Sequence, residues 1–517
     1  MLRPRGVSPL AVDELLSELA GVPTTVLGAG GSRRPISGIT LDSRTARPGD
    51  LFAALPGEHR HGATHVTDAV LAGAVAVLTD EAGAELVGRP TAAGDAIPVV
   101  VVDKPRAVVG PLAAAIYGRP SDAMDLVGIT GTNGKTTTAY LTEAAMAAAG
   151  RRTVLLGTIE TRIAGEHLPQ ARTTPEATEL QAILAVARER GVGAGAMEVS
   201  SHALSLGRVA GTKFRAAVFT NLSQDHLDFH ENMDAYFAAK LSMFRPETAG
   251  TAVICVDDDW GVRVMERTRL PHVTYSVTGV PWADWHASDV LLDVTGSRFR
   301  AGGPAGESVD VAVRMPGLFN VANALAALAA AVACGIDPSV AAGGIGAVKG
   351  VPGRLERIDE GQDFAAFVDF AHTPEAVRTV LRSLRELTSG RLVVVLGCGG
   401  DRDRTKRSTM ARVAAEDADT AVFTSDNPRS EDPVAILAEM TADLDLPFLV
   451  EPDRRRAIAL ALDGLSPGDT LLVAGKGHET GQESNGVVTP FDDREVLRTM
   501  LRNGPGPGTS DVARASR

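Results

Sequence analysis

Short apolar runs recur along this chain, and between them apolar positions return every three to four residues, which is the alternation of buried strands with amphipathic helices. From Leu126 to about Gly353 the order reads strand 126–130, helix 136–149, strand 153–157, helix 176–190, then strands 194–199 and 215–222. Continuous apolar strands joined through helices predict a parallel, doubly wound sheet. Residues 280–312 are less regular and read as antiparallel. An Ala/Leu helix from Val321 to Cys334 follows and stops at Gly335. Ahead of this unit, runs at 39–41, 74–78 and 99–102 and a helical stretch at 66–72 predict a small α/β domain. Behind it, Val351-Pro352-Gly353-Arg354 reads as a hinge into a third, Rossmann-like α/β unit with strands 364–370, 391–397, 420–424, 447–450 and 470–474. The expected organisation is α/β throughout: domains 1–110, 111–353 and 354–502, and a Gly/Pro-rich tail 503–517 that reads as disordered.

Length agrees, since 517 residues at about 150 per domain give about three domains. A hydrophobic content of 44% without a long apolar run predicts no membrane insertion. The first residues lack an apolar stretch before Asp13 and Glu14, so no secretory leader is expected and the chain should act in the cytoplasm. Cys255, Cys334 and Cys398 are too few and too far apart for a disulfide framework or zinc site and should be reduced core residues. In such a protein the glycosylation match at Asn221-Leu222-Ser223 is coincidence. A net charge of −13 argues against a nucleic-acid partner.

Chemistry enters at Val127 to Thr137, where a strand runs into a glycine-rich turn ending in Gly134-Lys135-Thr136. Backbone N–H groups of such a turn (Gly131, Thr132, Asn133, Gly134) and the helix N-terminus behind it (Lys135, Thr136, Thr137) cradle polyphosphate. Lys135 would reach the β/γ-phosphates and Thr136 would ligate Mg²⁺. The strict G-x-x-x-x-G-K-[ST] spacing places its first glycine at Ile129, so this P-loop is a variant. In the third unit Gly397-Cys398-Gly399-Gly400 has Arg402 where a dinucleotide turn needs its last glycine, which argues against a Rossmann cofactor.

Two further strand ends carry polar clusters at the edge where open α/β sheets bind ligands: Glu198, Ser200 and His202, and Asp225, His226 and Asp228. Carboxylate and imidazole near a Mg·ATP site can hold metal ions that bridge phosphate to a second substrate. Helix 234–244 puts Lys240 beside an apolar face, where the default reading is a solvated, snorkelling lysine.

The runs TGTNGKTT (130–137), MEVSSHAL (197–204), FTNLSQDHLDFH (219–230), PGRLE (352–356) and VDFAHTP (368–374) resemble the Mur ligases of peptidoglycan synthesis. Within that family GCGGDRDRTKR (397–407), SDNPRSE (425–431) and AGKGHE (474–479) resemble the members that add the third residue of the stem peptide. The resemblance implies a monomeric, ATP-dependent amide ligase acting on UDP-MurNAc-L-Ala-D-Glu through an acyl phosphate, with a uridine-nucleotide-binding first domain. It implies that Lys135, Glu198, His226 and Lys240 are catalytic and that Thr136 and Glu198 hold one Mg²⁺. His226 and a carbamate on Lys240 would hold a second. Asn320, Arg354 and Asp369 match nucleotide contacts, Asp369 on the ribose. Thr173, Thr174, Ser200 and Arg208 match contacts to the muramoyl dipeptide, and Ser43 a uracil contact. Leu206 stands where some relatives carry a side-chain amide.

The resemblance also implies meso-diaminopimelate as the amino acid, because the Asp426-Asn427-Pro428-Arg429 form marks the enzymes that use it. A guanidinium fork at Arg429 suits the distal carboxylate that diaminopimelate has and lysine lacks. Arg402, Asn427, Gly475 and Glu479 match the remaining contacts, with Glu479 facing the distal ammonium. A lysine-adding relative, a D-glutamate-adding sister ligase and a folylpolyglutamate synthetase are the neighbouring readings. A non-catalytic nucleotide switch is the distant one, and it would not require Glu198, His226 and Lys240 to converge.

Overall fold

The computed structural model describes residues 2–28, 35–88, 97–168 and 172–503, and it divides them among three separate sheets and a terminal hairpin. The first sheet runs Thr24–Leu27, Val99–Val102, Ala76–Thr79, Asp50–Ala53, Gly38–Thr40, antiparallel only at Thr24–Leu27. Two of its strands escape the apolar pattern for physical reasons. Thr24–Leu27 is an edge strand with three of its four residues exposed, and Asp50–Ala53 opens on a buried aspartate that pairs with Arg3 at 2.7 Å. Helix Pro105–Ile116 runs straight through position 110 and packs Val108, Val109, Leu112 and Ile116 against Val12, Leu15, Ile39 and Leu51. We therefore draw the first boundary after Tyr117, later than the pattern suggested.

The central sheet has seven parallel strands in the order Trp285–Asp293, His272–Ser276, Ala249–Cys255, Phe214–Phe219, Asp125–Thr130, Ala194–Glu198, Thr153–Leu156. One edge is extended by antiparallel Gly296–Gly302 and Ser308–Val313, within the segment expected to be antiparallel. The other is extended by Thr161–Ile163 and Glu166–Leu168, too short and polar to register as strands in the sequence. Helices Lys135–Ala148, Leu318–Ala333 and Pro338–Ala347 cover one face, and Ala177–Glu189, Met233–Leu241 and Asp259–Arg267 the other. Burial on both faces is why the strands read as unbroken apolar runs. From Asp125–Thr130 the chain winds first toward Thr153–Leu156, then crosses to Phe214–Phe219 and winds the opposite way. The central strand is thus the switch point, and its carboxyl end is where this class of sheet opens a crevice.

The third sheet runs Glu356–Arg357, Ala365–Asp369, Thr470–Ala474, Leu392–Cys398, Thr420–Ser425, Leu449–Val450, parallel except for the first. A hairpin, Gly481–Ser484 with Val487–Pro490, and helix Asp493–Asn503 complete it. At the hinge Gly353 has φ +63°, and a Cβ there would lie 2.1 Å from the His478 amide nitrogen, so only glycine lets the two segments touch. Cys255, Cys334 and Cys398 are free and buried. No helix among the described residues is long and apolar enough to cross a membrane. The expected disordered tail, apart from Asn503, lies outside the described residues.

Arg454 and Asp493, both 0% exposed, form a bidentate pair at 2.7 Å for each bond. Arg454 also donates to the carbonyls of Ser425 and Ala474, the last residues of two strands, at 3.2 and 2.9 Å. The pair therefore fixes where the loops at 426 and 475 begin. Removing one partner of a buried pair strands the other charge at a cost of about 3–5 kcal/mol. Asp493→Ala should accordingly lower the unfolding free energy from denaturant titration by an amount of that order, and a value equal to wild type would show that Arg454 finds other partners.

Candidate active site

The loop after Asp125–Thr130 turns on Gly134, whose φ of +86° and approach to Asn323 (2.3 Å from Oδ1 to an ideal Cβ) leave no room for a side chain. Neighbouring strand ends brace the loop. Asn221 Oδ1 accepts the Asn133 N–H at 3.0 Å, its Nδ2 returns a bond to the Asn133 carbonyl at 3.1 Å, and the Thr220 hydroxyl donates to that carbonyl at 2.6 Å. The glycosylation-like Asn221 is thus a structural part of the phosphate loop. Lys135 Nζ donates to the carbonyls of Gly131 and Thr132 at 3.0 and 2.8 Å, lying across the loop it would serve.

Glu198, 1% exposed, lies beside Lys135–Ala148, where its Oε2 accepts the Thr136 hydroxyl at 2.9 Å. Thr158 adds its N–H to Oε1 at 2.6 Å and its hydroxyl to Oε2 at 3.0 Å, and that hydroxyl also meets Thr173 at 3.1 Å. Thr174 bonds the Glu198 carbonyl at 2.9 Å. Thr158 was missed in the sequence. Its signal was available, since it follows strand 153–157 at the same carboxyl edge searched for the other two clusters.

Lys240 is not a snorkelling lysine. It is 1% exposed, its Nζ lies 4.5 Å from the Tyr236 ring centroid, and it donates to the Gly131 carbonyl at 2.8 Å. Burial and then the Lys135 charge hold its pKa well below the ordinary lysine value. Asp225 and His226 lie close by: the His226 N–H donates to Asp225 Oδ1 at 2.9 Å, and burial lowers the imidazole pKa to about 4. His226 takes a left-handed φ of +53°, a conformation that costs a residue with a Cβ about 1–2 kcal/mol and that clusters at working sites. His202 stacks edge-on to it, with ring centroids 4.7 Å apart. Among the described residues no set of three or more His, Cys, Asp or Glu side chains closes into a metal cage.

From beyond the hinge, Arg354 reaches back and donates to the Thr136 hydroxyl at 3.2 Å while lying 4.4 Å over the Phe370 ring. Its Nη1 is buried without a hydrogen-bond partner, an unspent donor. Both Asp369 oxygens accept backbone N–H groups, from Leu355 at 2.6 Å and Ala371 at 2.7 Å, so this carboxylate clamps the hinge as well as facing the site. Burial raises its pKa. Asn320 is buried and bonds the Pro316 carbonyl and Asn323 at the start of its helix. Ser200 caps helix Ser201–Ser205, Arg208 pairs with Glu176 at 2.8 Å, and Ser43 begins a turn on the first domain.

On the third sheet Asn427 is held by two donors to its Oδ1, Lys476 Nζ and the Glu483 N–H, both at 3.0 Å. Its amide nitrogen therefore faces Glu479, bonding Oε2 at 2.7 Å. Lys476, fully buried and unforeseen, also reaches Glu479 at 2.9 Å. Burial opposes ionisation of Glu479, but the Lys476 charge and these bonds outweigh it and hold the carboxyl low. Arg429, left-handed at φ +51°, donates Nη1 to the Gly400 carbonyl at 2.7 Å, which sets it against the loop that carries exposed Arg402. Gly475 brings its backbone onto the Asp426 carboxylate, whose pKa burial raises.

Three family descriptions match the chain: Mur ligase family, catalytic domain, over 35–117; Mur ligase middle domain, over 129–331; and Mur ligase, glutamate ligase domain, over 353–477. A UDP-N-acetylmuramoyl-L-alanyl-D-glutamate–2,6-diaminopimelate ligase of Streptomyces coelicolor is 53% identical, across 98% of this chain and 99% of that protein. The same-named protein of Corynebacterium glutamicum is 48% identical over 95% and 96%. A solved structure of that ligase superposes with a TM-score of 0.67 at 32% identity, covering 96% of this chain and 99% of that one.

Since Lys135 supplies a desolvated cation at the phosphate loop, Lys135→Ala should weaken nucleoside triphosphate binding by at least ~10-fold, the scale of one lost charge-assisted contact. Titration with a fluorescent triphosphate checks this, and an unchanged affinity would move the nucleotide elsewhere.

Proposed function

The chain belongs to the Mur ligase family, and from that premise we propose that it joins meso-2,6-diaminopimelate to UDP-N-acetylmuramoyl-L-alanyl-D-glutamate in an ATP-driven amide ligation of peptidoglycan precursor synthesis. The observation that carries the amino-acid choice is the network of Arg429, Asn427 and Glu479 at the carboxyl edge of the third sheet. It sets the Asn427 amide against the Glu479 carboxylate and holds the Arg429 guanidinium against the Gly400 carbonyl, a donor and an acceptor group for the two charges of a zwitterionic distal end. On this reading the first domain, through Ser43, takes the uridine end, the central domain ATP, and the third the amino acid.

A carboxylate is a poor acyl donor. The substrate carboxylate oxygen attacks the γ-phosphorus of ATP and ADP departs, leaving an acyl phosphate. The free amine of the amino acid then attacks the carbonyl carbon, a proton is lost from nitrogen, and phosphate leaves. Lys135, Arg354 and the loop amides balance the phosphate charge, while Thr173, Thr174, Ser200 and Arg208 orient the acceptor carboxylate. Magnesium, when bound, would supply positive charge against the phosphates. Thr136 and Glu198 would hold it, and their oxygen donors, 2.9 Å apart, suit a hard cation. His226 and a carbamate on Lys240 would hold a second ion. Lys240 fits that modification because its amine is desolvated beside another cation, where an anion is the more stable occupant.

Lys240→Ala should abolish ligation, with partial recovery on adding a short carboxylic acid, because the carbamate acts chiefly as an anionic ligand. Near wild-type turnover without the additive would refute that role. For Arg429 the expectation is selectivity: wild type should prefer meso-diaminopimelate over L-lysine by ~10⁴-fold or more in kcat/KM, since lysine offers the guanidinium no distal carboxylate. Arg429→Ala should raise KM for diaminopimelate and shrink that ratio at unchanged KM for ATP. Comparable use of both amino acids by wild type would sink the choice of substrate while sparing the ligase.

A further inference from the structure

We propose that Arg407, acting through Glu431, is a positioning residue that holds the two amino-acid loops, 399–402 and 427–431, in one register. This rests on the reading of those loops as the diaminopimelate site. Arg407 is the second residue of helix Lys406–Asp417 and is 1% exposed, and its guanidinium bonds the loops rather than the apolar core. It donates to both Glu431 oxygens at 2.9 and 2.8 Å, to Glu439 at 2.7 Å and to the Gly399 carbonyl at 3.2 Å.

Glu431 passes the restraint on. Its Oε1 also accepts the Asp401 N–H at 2.6 Å, so one carboxylate on the second loop holds the backbone of the first. Asp401, itself left-handed at φ +52°, receives the Ser430 hydroxyl at 2.7 Å and N–H at 3.1 Å. The Gly400 N–H bonds the Asn427 carbonyl at 2.9 Å. Arg402 and Arg429 flank these cross-links, one on each loop. The bond to Arg407 holds the Glu431 carboxyl down to about 2, so the pair is ionised at neutral pH.

An ion network around one buried guanidinium is often neutral for stability against an apolar replacement. What it supplies is geometry. Bidentate recognition of a carboxylate tolerates only about 10–20° of misalignment, so two loops carrying two arginines need a common anchor. Arg407 touches no reacting group and acts through the loops.

The test measures KM for meso-diaminopimelate, ATP and the uridine substrate, with thermal midpoints, in Glu431→Gln, Arg407→Lys and Arg429→Ala. Glu431→Gln should raise KM for diaminopimelate ~10-fold or more and narrow the preference over lysine, with the other two KM values within about twofold of wild type. Arg407→Lys, which keeps the charge but loses the fork, should fall between. An unchanged diaminopimelate KM in Glu431→Gln alongside a raised one in Arg429→Ala would overturn the clamp alone. Parallel loss of all three KM values with a lowered thermal midpoint would overturn it too, as the mark of a general structural role. An unchanged KM in Arg429→Ala would remove the site reading itself.

Discussion

Glu198 is surrounded by hydroxyl and amide donors from three other segments: Thr136 on the phosphate-loop helix, Thr158 after the neighbouring strand, and Thr174, which bonds its backbone carbonyl. A carboxylate buried to this degree must be hydrogen-bonded or it destabilises the fold. The central edge is organised around meeting that requirement. Because its seven core strands are parallel, their carboxyl ends lie on one side, and each connection there can lend a short polar side chain without breaking the apolar layers beneath. On the proposed reading the same satisfied carboxylate would serve as a cation ligand, since the Thr136 hydroxyl it accepts from is itself a candidate ligand.

The hinge couples this edge to the third domain. Asp369 grips the Leu355 and Ala371 amides, Gly353 presses backbone to backbone on residues 477 and 478, and Arg354 extends from between them to Thr136. A rotation about the hinge therefore moves Arg354 and the AGKGHE loop together, and on the proposed reading this would link the nucleotide and amino-acid sites at one backbone crossing. Arg354 is desolvated there, and burial lowers its pKa against the pull of Glu198 and Asp369. Such a guanidinium is stabilised most by an additional anion.

Much of this was legible in the sequence where burial is two-sided. The central and third-domain strands appear as apolar runs because helices cover both faces, and the phosphate loop appears because glycine is obligatory at Gly134. What stayed hidden is what depends on partners distant in the chain. Asp50 looks polar until Arg3 is beside it, and Thr24–Leu27 looks like loop because its outer face is wet. Lys240 looks solvated because a helical pattern cannot show that the phosphate loop lies over it. Lys476 and Arg407, both buried cations, are indistinguishable from surface residues until their carboxylates are placed.

Lys135 and Lys240 raise a problem that the fold alone does not resolve. Both donate to the carbonyl of Gly131, at 3.0 and 2.8 Å, so their ammonium groups lie within about 6 Å of each other. At an effective dielectric near 20 two such charges repel by about 3 kcal/mol, and burial adds a desolvation cost to each. Three things relieve this: a polyphosphate between them, loss of a proton from one, or conversion of one into an anion. Lys240 is the more deeply buried and the one whose proton is held most weakly. On the proposed reading a neutral Lys240 amine would add carbon dioxide with release of a proton, and the carbamate would turn the repulsion with Lys135 into attraction. The crowding of two lysines at one loop is thus the physical condition that would favour an anionic Lys240.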